Sequence, residues 1–124
     1  MTTRGIRGAI TIERDDPLEV ISATKELLIA ILESNPKLKT EFIASAVFTV
    51  TEDIQSVFPA KAAREIGWDQ VPLMCMQEIP VPNSLPLCIR VLIHWNTDLT
   101  QSEINHVYCK EAEKLRPDLK EKHS

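Results

Sequence analysis

Apolar residues recur at three- and four-residue spacing from Leu18 through Ile21, Leu27, Leu28 and Ile31 to Leu32, while Glu19, Lys25, Glu26 and Glu33 fill the positions between them. That is the period of a helix with one packed and one wet face. Asp16-Pro17-Leu18-Glu19 sets its start, with a capping side chain, a proline at the first helical position and an acid in the first turn. The helix should run to about Asn35, because a residue preceding proline, here Pro36, is driven out of the α region. The pattern then changes. Phe42 to Val50 is short, apolar and rich in Val, Ile, Phe and Thr, which predicts a strand. Val71 to Met76 and Leu87 to Trp95 predict two more, separated by a loop that holds Pro80, Pro82, Asn83, Ser84 and Pro86. Thr3 to Thr11 reads as an opening strand. His106 to Lys110 reads as a short closing one, followed by a polar helical turn and an exposed tail from Arg116. Between them, Pro59 to Ile66 predicts a short helix, with Gly67 as its C-terminal stop.

About five strands and two helices in this order predict an α+β fold, a mixed sheet with helices on one face. The segment Leu87 to Trp95 is apolar at nearly every position and is expected to be buried on both sides. Two helices are too few to cover both faces, so the sheet is expected to associate with further copies of itself. A length of 124 residues without a linker or repeat makes residues 1–124 a single domain, with 116–124 a flexible C-terminal tail. Eighteen acids against fourteen Lys and Arg leave a net charge of −4, the wrong sign for coating nucleic acid or an acidic membrane. No apolar run approaches the ~18 residues of a spanning helix. The N-terminal Met-Thr-Thr-Arg-Gly-Ile-Arg lacks the apolar core of a secretory signal, so a cytoplasmic location is expected. Cys75, Cys88 and Cys109 form no C-x-x-C pair and have no histidine cluster beside them, so no metal site is expected. Phosphate-cradling glycine loops and nucleophile-elbow motifs are missing too, and no cofactor is expected.

Arg90 is the anomaly. It lies inside Leu87-Cys88-Ile89-Arg90-Val91-Leu92-Ile93, where burial of an unpaired guanidinium costs several kcal/mol, roughly, unless an acid or an anionic ligand meets it. Glu78, at the end of Cys75-Met76-Gln77-Glu78, is the candidate acid. Further cations complicate a simple ion pair. Arg7 interrupts the first strand between Gly5 and Gly8, Lys61 and Arg64 share the short helix, and Arg116 opens the tail. Lys61, Arg64 and Arg116 taken singly fit a solvated surface. Together with Arg7 and Arg90 around one acid they would complement a small dianion that carries a hydroxyl. Cys75 beside Glu78 could be a nucleophile with a base, but no histidine stands near either in sequence. His94 and His106 each stand alone and read as core or surface histidines.

These residues fall in blocks that resemble the monofunctional chorismate mutases of the AroH class along nearly the whole chain. The blocks are Arg4-Gly5-Ile6-Arg7-Gly8-Ala9, Thr51-Glu52-Asp53 with Phe58-Pro59-Ala60-Lys61-Ala62-Ala63-Arg64, Val71-Pro72 with Cys75-Met76-Gln77-Glu78, Cys88-Ile89-Arg90-Val91, and His106-Val107-Tyr108 with Leu115-Arg116-Pro117-Asp118-Leu119. The resemblance implies a homotrimer whose sheets form a pseudo-α/β-barrel, with sites in the clefts between subunits. It also implies conversion of chorismate to prephenate for phenylalanine and tyrosine synthesis, without a cofactor. Carried over by position, it makes Arg90 the cation at the breaking ether bond and Glu78 the acceptor of the ring hydroxyl, with Cys75 beside it. Arg7 and Tyr108 would hold the enolpyruvyl carboxylate, and Phe58 and Leu115 would form apolar walls. Lys61, Arg64 and Arg116 would surround the mouth. Met74 stands where the family often has threonine and would contribute backbone contact. The residues alone leave two rivals, a trimer that binds an anionic metabolite as a regulator and a small-molecule deaminase on a similar architecture.

Overall fold

The computed structural model describes residues 1–115. In chain order these form β1 (Thr2–Thr11), α1 (Pro17–Ser34), β2 (Ile43–Val50), α2 (Ala60–Glu65), β3 (Leu73–Gln77), β4 (Cys88–Thr97) and β5 (Val107–Cys109). Short 3-10 turns lie at Thr40–Phe42, Gln101–Glu103 and Lys110–Leu115. The five strands make one sheet in the order β3-β2-β4-β1-β5. β4 is antiparallel to both neighbours, β1 and β2, whereas β3 and β5 are added in parallel at the edges. The sheet is therefore mixed and the fold α+β, as the pattern predicted.

α1 begins and ends where its sequence signals lie. The Asp16 carboxylate accepts from the N–H groups of Leu18 and Glu19 at 3.1 Å each, and Pro17 occupies the first turn. At the other end the Asn35 side chain donates to the carbonyls of Ile31 and Asn105 at 2.9 Å and accepts from Asn105 N–H at 3.0 Å. That ties the helix terminus to the chain entering β5. The inner stripe of α1 buries Val20, Ala23, Leu27, Leu28 and Ile31 against the sheet. Each large member of the stripe contributes about 1.5–3 kcal/mol of transfer free energy.

Strand alternation sends Ile6, Gly8 and Ile10 of β1 and Ile89, Val91 and Ile93 of β4 to the helix side, together with Ala46 and Phe48 of β2. Gly8 lies under the helix. A Cβ there would stand 2.8 Å from Ile31 Cδ1 and 3.2 Å from Leu27 Cδ1, so the missing side chain is what lets α1 seat.

Several boundaries differ from expectation for local reasons. β3 runs Leu73–Gln77 rather than Val71–Met76, because Pro72 lacks a ladder donor while the parallel register continues to Gln77 opposite Val50. α2 spans only Ala60–Glu65, with Pro59 capping it and Gly67 turning at φ 94° beyond it. β5 is cut to Val107–Cys109 by Lys110, which turns into the left-handed region at φ 55°. β4 is not buried on both sides: Arg90, Leu92, His94 and Asn96 alternate onto the face the helices leave open. Arg116 and the rest of the tail lie outside the described residues. Gly8→Val should destabilise the fold by about 1–3 kcal/mol through overpacking against Leu27 and Ile31, read as a lower urea midpoint at unchanged slope.

Candidate active site

The helix-free face of the sheet carries the unusual residues. Register puts Arg7 opposite Leu92, and Ala9 between Arg90 on β4 and Tyr108 on β5. Thr49 stands opposite Arg90 from the other side, and Val47 opposite both Leu92 and Met74. Among the described residues this face is incompletely covered, with Met74 57%, Met76 48% and Leu92 38% exposed.

A cleft of about 360 Å³ opens on this face, lined by Arg7, Val47, Thr49, Arg90, Leu92, Tyr108 and Leu115. Arg90 and Glu78 meet beside it, with Arg90 Nε 3.0 Å from Glu78 Oε1. The approach is close, yet it makes no aligned hydrogen bond. Both Arg90 Nε and Glu78 Oε2 are buried atoms without a hydrogen-bond partner among the described residues. The expectation of a deeply buried guanidinium is corrected here, since the Arg90 side chain is 41% exposed and Glu78 19%. The reason is geometric, because the alternation that buries Ile89 and Val91 turns Arg90 away from the core.

A small second core fixes the rest of the cleft. Ala9, Cys88 and Ala112 are fully buried on the open face, with Leu85, Tyr108 and Leu115 packed around them. Glu111 N–H donates to Thr11 Oγ1 at 3.1 Å, holding the Lys110–Leu115 turn against β1. Arg7 N–H donates to His106 Nδ1 at 2.9 Å, so the imidazole extends the β1 edge just before β5 begins. His106, unassigned from sequence, therefore braces the residue next to it in space. Burial pushes the Cys88 thiol up to about 11, and the Cys109 thiol upward as well, so both stay protonated at neutral pH. Neither is poised as a nucleophile.

The other expected site residues lie elsewhere on the chain. Cys75 stands opposite Phe48 and packs on the helix side of the sheet, not beside Glu78 on the open face. With Phe58, which is 70% exposed, it lines a second hollow of about 450 Å³ that also includes Val50, Ile54 and Gln77. Lys61 and Arg64 are exposed on α2, and Met74 is exposed on β3. Arg7, Arg90, Glu78, Tyr108 and Leu115 are thus brought together, whereas Phe58 and Cys75 share the second hollow and Lys61, Arg64 and Met74 line neither. Val47 and Thr49 line the cleft without any chemical signal that the sequence could have shown.

The loop before Phe58 is bracketed from the connection between β1 and α1. The Asp15 carboxylate accepts from Gln55 N–H at 2.8 Å and from Ser56 N–H at 3.2 Å. Hydrogen bonding from Ser56, and then from Gln55, holds its pKa below the ordinary carboxylate range.

A family model described as chorismate mutase type I matches residues 3–119. The chain belongs to the chorismate mutase type I family. Chorismate mutase AroH of Thermus thermophilus is 56% identical over 116 residues, spanning 94% of this chain and 95% of the relative. Chorismate mutase AroH of Bacillus subtilis (strain 168) is 48% identical over 120 residues, spanning 96% and 94%. A solved chorismate mutase structure from Clostridium thermocellum superposes with a TM-score of 0.86 at 45% identity, covering 89% of this chain and 97% of that one. Chorismate mutases are isomerases of aromatic amino acid biosynthesis, and this chain shares their sequence and fold over nearly its whole length.

Because the folded-state pKa of Asp15 is depressed, its bracket stabilises the protein above the unfolded carboxylate value of about 3.9. That contribution is lost as pH falls through the folded value. In urea titrations the wild-type protein should therefore lose stability on acidification more steeply than Asp15→Asn.

Proposed function

We propose that the cleft around Arg90 holds chorismate and catalyses its Claisen rearrangement to prephenate. The observation that carries this reading is a cationic pair, Arg7 and Arg90, with one acid, Glu78, at a cleft of suitable size on the helix-free sheet face. The reaction breaks one C–O bond and forms one C–C bond within a single molecule. No proton moves, so no nucleophile, base or cofactor takes part. The substrate is flexible, and its enolpyruvyl arm must fold over the ring before the carbon termini meet. Fixing both carboxylates selects that conformer and removes part of the barrier.

As the C–O bond lengthens, negative charge gathers on the ether oxygen. Arg90 donates there and to a side-chain carboxylate, an interaction stronger in the transition state than in the ground state. Glu78 engages the Nε end of Arg90, which keeps the terminal N–H groups for the ligand. Its Oε2, lacking a donor among the described residues, accepts from the ring hydroxyl. Arg7 and Tyr108 hold the enolpyruvyl carboxylate, and Leu115 forms an apolar wall.

The remaining residues come from a second copy of the chain. Phe58, Lys61, Arg64, Cys75 and Met74 are not among the residues that line the Arg90 cleft of the same chain. In a homotrimer joined through the open sheet faces as a pseudo-α/β-barrel, each cleft is completed by its neighbour: Phe58 as a second wall, Cys75 beside the hydroxyl, Lys61 and Arg64 at the mouth. Arg116, which lies outside the described residues, is a further cation for the dianion. The exposed Met74, Met76 and Leu92 support such an interface. The enzyme works in the cytoplasm.

Purified protein should consume chorismate, followed by loss of its ultraviolet absorbance; an unchanged signal would leave only an anion binder. Arg90→Ala should cost more than about 3 kcal/mol of transition-state stabilisation. Replacing Arg90 by citrulline tests the charge itself, because a surviving rate would mean that hydrogen bonding suffices. Arg7→Ala should chiefly raise KM. Mixing and reassembling the Arg90→Ala and Arg64→Ala proteins should give more activity than either alone, since some mixed clefts take Arg90 from an Arg64→Ala subunit and Arg64 from an Arg90→Ala subunit. Absence of any such gain would argue for a site within one chain.

A further inference from the structure

We infer that Thr51 and Asp53 act as a positioning clamp for Arg90, fixing the register and direction with which β4 leaves the proline-rich loop. Neither residue lines the Arg90 cleft, and Asp53 is exposed. Both instead hold the first residues of β4. Thr51 N–H donates to the Cys88 carbonyl at 3.1 Å, and Thr51 Oγ1 accepts from Cys88 N–H at 3.0 Å. The same hydroxyl donates to Asp53 Oδ1 at 2.5 Å. The Asp53 oxygens in turn accept from Leu87 N–H at 3.2 and 3.0 Å. One carboxylate and one hydroxyl thus satisfy two successive N–H groups, and the charged acceptor makes the Leu87 contact stronger than a neutral one.

What the clamp holds is strained. Leu87 sits in the left-handed region at φ 50°, a conformation that a Cβ-bearing residue seldom adopts. Its carbonyl also accepts from Ile12 N–H at 2.9 Å, so the turn is pinned from β1 as well. Leu87 lies three residues before Arg90. Strand side chains alternate with period two, so a slip of one residue at this entry would send Arg90 into the core and Ile89 to the cleft. The end of β2 also sets the partner acid, because the Val50 carbonyl accepts from Glu78 N–H at 2.9 Å. The 3.0 Å approach of Arg90 to Glu78 is therefore built on one short stretch, Val50 to Asp53, that grips both strands.

This inference rests on the reading of Arg90 as the transition-state cation, and steady-state kinetics of the full chain with chorismate test it. Asp53→Ala and Thr51→Val should each lower kcat by about 10- to 100-fold, the scale of a small misplacement at a reacting centre, with KM changed much less. Thr51→Ser, which keeps the hydroxyl, should retain more of the rate than Thr51→Val. The double variant should lose no more than the worse single one, because both break the same clamp. Leu87→Gly accepts a positive φ without strain, and in the Asp53→Ala background it should recover part of kcat. A wild-type kcat in Asp53→Ala accompanied only by a lower melting temperature would overturn the clamp, and so would equal rates for Thr51→Ser and Thr51→Val. If Asp53→Ala does not fold, the Thr51 pair decides alone. Wild-type protein that leaves chorismate untouched would instead remove the mutase reading itself.

Discussion

The structure depends on a shortage of cover: two helices pack on one face of a five-stranded sheet, and among the described residues nothing comparable packs on the other. Strand alternation then sorts the chain into two chemistries. Ile6, Gly8 and Ile10 go under α1 with Ile89, Val91 and Phe48, and the intervening Arg7, Ala9, Arg90 and Thr49 are left on the open side. A guanidinium among aliphatic neighbours is tolerable there, because it keeps contact with water in the separate chain and has an acid at its Nε end. The same face would be a liability in a protein that acted alone. In an assembly it is where an anion can be held away from bulk solvent and still meet fixed positive charge.

Positioning in this site is done largely by packing and backbone support behind the charged side chains. Gly8 lets the helix lie close to β1, and the compact cluster of Ala9, Cys88 and Ala112 seats Tyr108 and Leu115 beside Arg90. His106 takes the N–H of Arg7, and Asp15 holds the loop that precedes Phe58. In the proposed rearrangement no covalent enzyme intermediate forms and no proton moves, so acceleration comes from shape and from a fixed field. Rigid support for a few donors is then the main demand on the fold. The protonated Cys88 suits that setting, because a neutral small side chain fills space beside Arg90 without cancelling its charge.

Much of the fold is legible in the chain itself. The spacing from Leu18 to Leu32, the Asp16-Pro17 start and the Asn35-Pro36 stop determine α1 almost to the residue, because capping and proline sterics act locally. The five strands are visible as short apolar runs, and Arg90 stands out because a charge in such a run must be accounted for. Boundaries at β3 and β5 were harder to read. They depend on which ladder partner is available to Pro72 and on the left-handed turn at Lys110, and both are set by neighbours in space.

The meeting of Arg90 with Glu78 was legible in the sequence, whereas the face each side chain occupies was decided only by tertiary structure. Sequence put Cys75 next to Glu78, yet the period of two sends Cys75 to the core side, opposite Phe48. Arg7 and Tyr108 are about a hundred residues apart in the chain and reach one cleft only because β1 lies between β4 and β5. Thr51 and Asp53 look like ordinary turn residues until β4 is laid beside β2 and their oxygens meet the N–H groups of Leu87 and Cys88. Local sequence fixes elements through short-range sterics and hydrogen bonds, whereas the geometry of a site is a property of strand order and register, which no single segment encodes.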